Sequence, residues 1–139
     1  MMFKLRNIID SSLHWAYYKN MSYKNTLSKG SVRSIIFREG DTWYGVALEF
    51  NIVEEGQDPL VVQASLYQAI KGYVQVARKF KMRPISLNQR PNKEYEELWR
   101  VLQSNVLKGR TKKSDAIIGH KQIFNFGYHT GAFSPAIVH

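Results

Sequence analysis

Histidine is the residue type in this chain best suited to metal binding or proton transfer, but the spacing of the histidines predicts neither. The four histidines occur without an HxxxH pair and without an adjoining carboxylate motif: His14, His120, His129 and His139. A zinc site drawn from the last three would need the C-terminal segment to fold around the ion, and zinc ligands are usually spaced more tightly. The chain has no cysteine, which excludes disulfides, thiolate nucleophiles and cysteine-ligated zinc. We therefore expect no metal site and no cofactor.

Carboxylates are the next candidates for chemistry. Glu49, Glu54, Glu55 and Asp58 are close in sequence, but acid–base catalysis needs two acids that face one cleft. Three of the four fall at predicted turns or a strand end, where solvation or helix capping explains them. The sequence contains no Walker loop, no nucleotide-binding glycine fingerprint and no nucleophile elbow. We expect no catalytic residues and a protein that is not an enzyme.

A basic loop is the third candidate. It places four positive charges within six residues: Lys108, Arg110, Lys112 and Lys113. Such a loop suits phosphate contacts and salt-dependent binding without base recognition. A solvated hinge explains the same residues. The alternative function that we keep open is a nucleic-acid-binding protein, RNA or DNA, that uses loop 108–113 and the basic N-terminus.

Composition sets the limits for the elements that must position these residues. The chain has 139 residues, 44% hydrophobic and 13% aromatic, which is typical of one globular domain with a packed core. The net charge is +9, and most of the excess lies near the two ends, where solvated tails are the simplest interpretation. No apolar run reaches the ~18 residues of a membrane span, and no signal sequence is evident. We expect a cytoplasmic protein without membrane association.

The N-terminal residues leave three interpretations open. Leu5, Ile8, Ile9 and Leu13 share one helical stripe, which fits a short helix packed on the main domain or a helix on a membrane surface. Alternatively, Met21 is the natural start of the protein. Residues 23–30 form a polar, turn-rich linker.

The residues from 31 to about 90 predict most of the fold. Two β-rich segments, 32–37 and 42–50, flank a Gly-containing turn and form a hairpin, with Tyr44, Val46, Leu48 and Phe50 on one apolar face. Residues 51–56 supply a short third strand.

A long helix follows, and after it the predicted elements are shorter. Asp58 as N-cap and Pro59 at the first position begin a helix that extends to about Lys81. The apolar stripe predicted to cover the sheet consists of Leu60, Ala64, Tyr67, Ile70, Val74 and Ala77, and a flanking row of Leu66, Ala69, Tyr73 and Val76 widens it. Residues 85–87 form a Pro-led edge strand, a second helix begins after Asn92, residues 123–128 form one more strand, and 129–139 form an unstructured tail.

These elements predict an α+β protein. Its core is a small, antiparallel-rich sheet of β-β-β-α-β type covered by one long helix, with an additional C-terminal helix. The predicted organisation is an N-terminal extension and linker (1–30), an α+β domain (31–90), an amphipathic helix (91–106), and a basic loop with a C-terminal tail (107–139).

The segment from residue 32 to about 87 resembles the HicB antitoxin family. The resemblance lies in the hairpin turn Arg38–Asp41, in the helix-opening turn Gly56–Pro59, and in the helix residues Leu66, Ala69, Ile70 and Tyr73. It implies a partial ribonuclease-H-like fold that lacks the nuclease's acidic cluster. Members of the family typically neutralise a small basic ribonuclease toxin by binding it, and many repress their own operon through a C-terminal DNA-binding domain.

The leading hypothesis is therefore a non-catalytic, HicB-like protein-binding module, an antitoxin-like component of a toxin–antitoxin system. The candidate partner-binding residues are Leu60, Val61 and Val62, whose alternative explanation is burial under the N-terminal segment or the second helix. A homodimer formed through an open sheet edge is compatible with either function, because unpaired edge strands invite pairing.

Overall fold

A computed structural model of the chain describes residues 24–107, 121–130 and 132–137. The elements are β1 (Gly30–Glu39), β2 (Thr42–Ala47), β3 (Ile52–Gly56), α1 (Pro59–Lys79), a 3₁₀ helix (Pro84–Leu87), α2 (Lys93–Leu107), β4 (Lys121–His129) and β5 (Ala132–Ile137). The strands form a five-stranded sheet in the order β3-β2-β1-β4-β5, and all neighbours are antiparallel. The predicted α+β class is confirmed.

The β1–β2 hairpin forms as predicted, but its second strand is shorter than predicted. Gly40 has a φ of 60°, a left-handed conformation that favours glycine in a tight turn. β2 ends at Ala47, and residues 48–51 form a turn that closes at Asn51 with a φ of 52°. Because the chain leaves the pleat there, the placement of Phe50 on the face of Leu48 is wrong: Phe50 packs on the opposite side of the sheet.

Both faces of the sheet are apolar, and a helix covers each one. Val62, Leu66, Ile70, Val74 and Ala77 are the buried residues of α1 and pack on one face. Trp99 of α2 packs on the other face in a cluster with Ile35, Phe37, Val46, Leu48 and Ile123. Three consecutive apolar residues of β1 supply both clusters, as is usual for a strand that is covered on both sides.

Helix α1 begins as predicted, since the Asp58 Oδ1 atom accepts a hydrogen bond from the Leu60 amide at 2.8 Å. Its buried stripe is partly rotated from the predicted one. Leu60 and Ala64 are exposed and Tyr67 is half-buried, whereas the flanking Leu66 is fully buried. Because the apolar stripe is broad, the sequence does not determine which of its residues face the sheet; tertiary packing does.

The predictions for two segments are wrong. Residues 85–87 belong to the 3₁₀ helix and are not an edge strand. Residues 132–137 are not an unstructured tail, because they form β5 and pair with β4. The predicted polar linker is irregular over its described residues, 24–29, but it is packed on the domain, since Asn25 is 1% exposed. Because β4 pairs with β1, residues 31–90 share one sheet with the C-terminal segment and do not form a separate domain.

Candidate functional site

The three predicted partner-binding residues have different environments. Leu60 is 67% exposed and Val61 is 59% exposed, whereas Val62 is 1% exposed. Val62 fills the space above a glycine of β2: a Cβ atom placed on Gly45 would lie 2.9 Å from Val62 Cγ1. Val62 is buried in the core between α1 and the sheet, so its assignment to partner binding is wrong. Leu60 and Val61 remain accessible.

A shallow groove lies beside Leu60. Its cavity volume is about 230 Å³, and its lining residues are Leu60, Gln63, Ala64, Tyr67 and Phe126. Tyr67 donates its hydroxyl hydrogen bond to the Phe133 carbonyl at 3.2 Å, so this group is already used. Small-molecule sites are typically larger, ~300–1,000 Å³, and contain several convergent polar groups. This groove does not fit that description.

The other sequence candidates do not assemble into a site within the described residues. Lys108, Arg110, Lys112 and Lys113 lie outside residues 24–107, 121–130 and 132–137, as do His14, His120 and His139. His129 is exposed at the end of β4. In the same ranges, no group of three or more His, Cys, Asp or Glu residues could hold a metal ion. Neither helix there is long and apolar enough to cross a membrane.

The acids that are close in sequence separate in space. Asp58 caps α1, and Glu49 forms an ion pair with Arg33 at 3.0 Å. Glu54 and Glu55 are successive residues of β3 and therefore lie on opposite faces of the sheet. The four carboxylates do not share one cleft.

A different set of acids gathers on the α2 side of the sheet, near β3. Tyr44 of β2 lies opposite both Phe37 of β1 and Glu55 of β3, so these side chains share one face. Val53 lies opposite the buried Val46 on the same face and is 49% exposed. We call this region the acidic aromatic surface, and its members are Glu39, Tyr44, Val53, Glu55, Glu94 and Tyr95.

Aromatic contacts join the strands to α2 at this surface. The Phe37 and Tyr44 rings stack with centroids 5.5 Å apart, and the Tyr95 ring lies 6.2 Å from Phe37. Burial raises the pKa of Tyr95, and the negative charges of Glu94 and Glu39 raise it further. Tyr44 and Tyr95 are both half-buried, and the carboxylates beside them come from β1, β3 and α2.

The acids of this surface, Glu39, Glu55 and Glu94, form no ion pair within the described residues. The exposed Lys121 of β4, opposite Phe37, is a cation on the same face. With three carboxylates and Lys121 on this face, the acidic aromatic surface carries an excess of negative charge on a chain of net charge +9.

An ion-pair network fixes α2 over the sheet. The Arg33 guanidinium donates hydrogen bonds to both carboxylate oxygens of Glu96, at 2.6 and 2.9 Å, and to Glu49 at 3.0 Å. It also lies 5.7 Å from the Trp99 ring centroid. Burial raises the pKa of Glu49, while the positive charge of Arg33 acts in the opposite direction. Arg33 is a positioning residue, because it fixes the helix that carries Glu94 and Tyr95.

Sequence reasoning missed the acidic aromatic surface. Glu39, Glu55 and Glu94 are far apart along the chain, and only the strand register and the position of α2 bring them together. The only local signal was alternation in the hairpin, which predicted Tyr44 and Val46 on one face.

A scan against protein-family models and searches of curated proteins and of solved structures found no match to this chain. A functional interpretation must therefore come from the geometry and charge of the described residues. The strongest feature of that kind is the acidic aromatic surface.

Proposed function

We propose that this chain is a non-catalytic, HicB-like protein-binding module whose acidic aromatic surface binds a basic protein. One observation carries the proposal: three carboxylates that form no ion pair within the described residues lie on one face with two tyrosines and an exposed valine. Tyrosine is enriched among the residues that dominate binding energy at protein interfaces. The proposed interface therefore has an aromatic centre and a charged rim.

Charge selects the class of partner. Carboxylates attract a positive patch on another protein and repel phosphate groups, so this surface disfavours nucleic acid. The net charge of +9 does not oppose a basic partner here, because interactions between exposed charges are screened over about 8 Å at physiological salt. The local charge of the surface, and not the net charge of the chain, therefore determines which partner it attracts.

The sheet edge beside this surface favours a different protein over a second copy of the chain. β3 is an edge strand, so its outer backbone groups can pair with another strand. Pairing of two antiparallel β3 strands would bring Glu54 and Glu55 close to their own copies, and like charges on facing strands are destabilising. A basic partner strand would meet the opposite charge.

The resemblance to the HicB family suggests the kind of basic partner. Members of that family typically bind a small basic ribonuclease toxin. The partner that we infer from the acidic aromatic surface is also a basic protein. We therefore propose an antitoxin-like role for the chain.

The experiment that tests the binding function is affinity capture of the tagged full chain from a native lysate, with and without nuclease treatment. We expect one small basic protein in near-stoichiometric amount in both samples, identified by mass spectrometry. Retention of no protein, or of a protein that disappears after nuclease treatment, would contradict the binding function.

The antitoxin-like role has its own test. The gene of the captured protein, expressed alone, should arrest growth, and co-expression of this chain should restore it. A captured protein that leaves growth unchanged would overturn the antitoxin role and leave the binding function standing.

A further inference from the structure

The C-terminal end of α1 presents an aromatic ring among positive charges. Phe80 is 68% exposed, and the Lys79 Nζ atom lies 5.6 Å from its ring centroid. Lys81 follows with a φ of 49°, the left-handed conformation that ends the helix, and Arg83 is exposed beyond it. Three cations thus flank one exposed ring within five residues.

A second segment adds two more cations to this end of the molecule. The Arg78 side chain donates hydrogen bonds to the carbonyls of Leu27, at 2.6 Å, and Ser28, at 3.4 Å. These bonds hold residues 27 and 28 beside the last turn of α1, and the exposed Lys24 and Lys29 belong to the same short segment. We call this region the basic end, and its members are Lys24, Lys29, Lys79, Phe80, Lys81 and Arg83.

The helix dipole explains only part of the basic end. Positive charge in the last turn of a helix is favourable, which accounts for Lys79. It does not account for Lys24 and Lys29, which come from another segment. In the part of the chain that the structure describes, none of the five cations forms an ion pair with an acid. An exposed phenylalanine among them also has no role in the core.

We propose that the basic end binds single-stranded nucleic acid. Phe80 stacks on an unpaired base, and the five cations contact the backbone phosphates, which is the usual combination at sites that bind single strands without sequence preference. A duplex would satisfy the cations and leave the ring without a stacking partner. An acidic protein would likewise offer charge without a base.

This site is separate from the acidic aromatic surface. Lys29 immediately precedes β1 and Glu39 ends it, and a strand of that length, at ~3.3 Å per residue, spans about 30 Å. Several Debye lengths therefore separate Lys29 from Glu39 at physiological salt. One molecule can bind a basic protein at one end and nucleic acid at the other.

The test is fluorescence anisotropy of the full-length protein with a labelled oligothymidine, an oligouridine of the same length and a duplex control. We expect both single strands to bind more tightly than the duplex. The logarithm of affinity should fall with the logarithm of salt concentration with a slope of about −3.5, since each phosphate neutralised on a single strand contributes about −0.7. Binding of the duplex as tightly as the single strands, or no binding at low salt, would overturn the proposal.

Substitutions separate stacking from charge. Phe80→Ala should weaken the affinity for single strands about tenfold, which corresponds to the loss of one stacked base. The dependence of affinity on salt should not change, because no cation is removed. Val101→Ala is the control, because Val101 is an exposed apolar residue of α2 that lies outside the basic end. The Val101→Ala variant should bind the oligonucleotide with the affinity of the natural chain. The triple variant with Gln at Lys79, Lys81 and Arg83 should lower the salt slope by about 2.

The basic loop provides the competing outcome. If the quadruple Gln variant of Lys108, Arg110, Lys112 and Lys113 abolishes binding while Phe80→Ala and the triple variant change nothing, nucleic acid binds at the loop and the proposal is wrong. If polyglutamate displaces the oligonucleotide as well as unlabelled oligothymidine does, the basic end is a general polyanion surface and the assignment to single strands is wrong.

Discussion

Asn25 and Asn88 bind each other reciprocally in the interior of the protein. The Asn25 backbone N–H donates a hydrogen bond to Asn88 Oδ1 at 3.0 Å, and Asn88 Nδ2 donates one to the backbone carbonyl of Asn25 at 2.8 Å. The two residues are 1% and 2% exposed. The pair fixes the segment before β1 to the residue that follows the 3₁₀ helix. This contact helps to place Lys24 and Lys29 at the basic end.

Replacing Asn88 should show how much this pair contributes to stability. Asn88→Ala leaves the Asn25 amide and carbonyl buried without these partners, and each unsatisfied buried group costs about 1–3 kcal/mol. We expect the free energy of unfolding to fall by about 3 kcal/mol in urea denaturation. Asn105→Ala, at a half-buried position of α2, should change it by less than about 0.5 kcal/mol. Equal losses in the two variants would show that the Asn25–Asn88 pair contributes little.

Two glycines should respond to alanine in opposite directions. A Cβ atom at Gly45 would lie 2.9 Å from Val62 Cγ1 and 3.1 Å from Ile36 Cδ1, so Gly45→Ala overpacks the core. We expect a loss of about 1–3 kcal/mol in the free energy of unfolding.

Gly72 is the matched control, because a Cβ atom there would meet nothing within 4 Å. Gly72→Ala should stabilise the protein by about 0.5–1 kcal/mol, since alanine favours the helix interior. A neutral Gly45→Ala variant would contradict the placement of Val62 in the core, which is the reason for removing it from the partner-binding residues.

Alkaline pH should weaken the attachment of residues 24–29. The Tyr128 hydroxyl donates to the Thr26 carbonyl at 2.7 Å, and burial raises the pKa of Tyr128 to about 12, with the nearby Arg78 acting in the opposite direction. A raised pKa in the folded state means that the protonated phenol favours folding below the unfolded pKa near 10. This contribution is lost as the pH rises from about 10 to about 12.

Denaturation at a series of alkaline pH values measures this effect, with Tyr128→Phe as the comparison. The stability of the natural chain should fall more steeply between about pH 10 and pH 12 than that of the variant. Parallel curves would contradict the assignment of the raised pKa to Tyr128.

The parts of the fold that sequence reasoning predicted correctly are those that local residues determine. Gly40 sets the hairpin turn, and the Asp58–Pro59 pair sets the start of α1; each needs only its immediate neighbours. Which strands pair with each other was harder to predict from the sequence. β5 contains Pro135 and has no alternating pattern of its own, so its pairing with β4 depends on an edge that the rest of the sheet provides.

The candidate sites depended on long-range contacts. The side of the sheet that a carboxylate occupies follows from strand register, which a turn such as residues 48–51 can shift, as Phe50 demonstrates. The basic end likewise requires Arg78 to hold the carbonyls of residues 27 and 28. Neither arrangement leaves a pattern in one continuous segment.

The central claim is that the acidic aromatic surface binds a basic protein, and a charge placed at Val53 tests it most directly. Val53→Arg introduces a positive charge on the same strand and face as Glu55, whereas Val101→Arg places the same charge on a similarly exposed valine of α2, 49% against 41%. Isothermal titration of the captured partner should show at least a tenfold loss of affinity for Val53→Arg and nearly unchanged affinity for Val101→Arg. Equal affinities of both variants and the natural chain would contradict the claim.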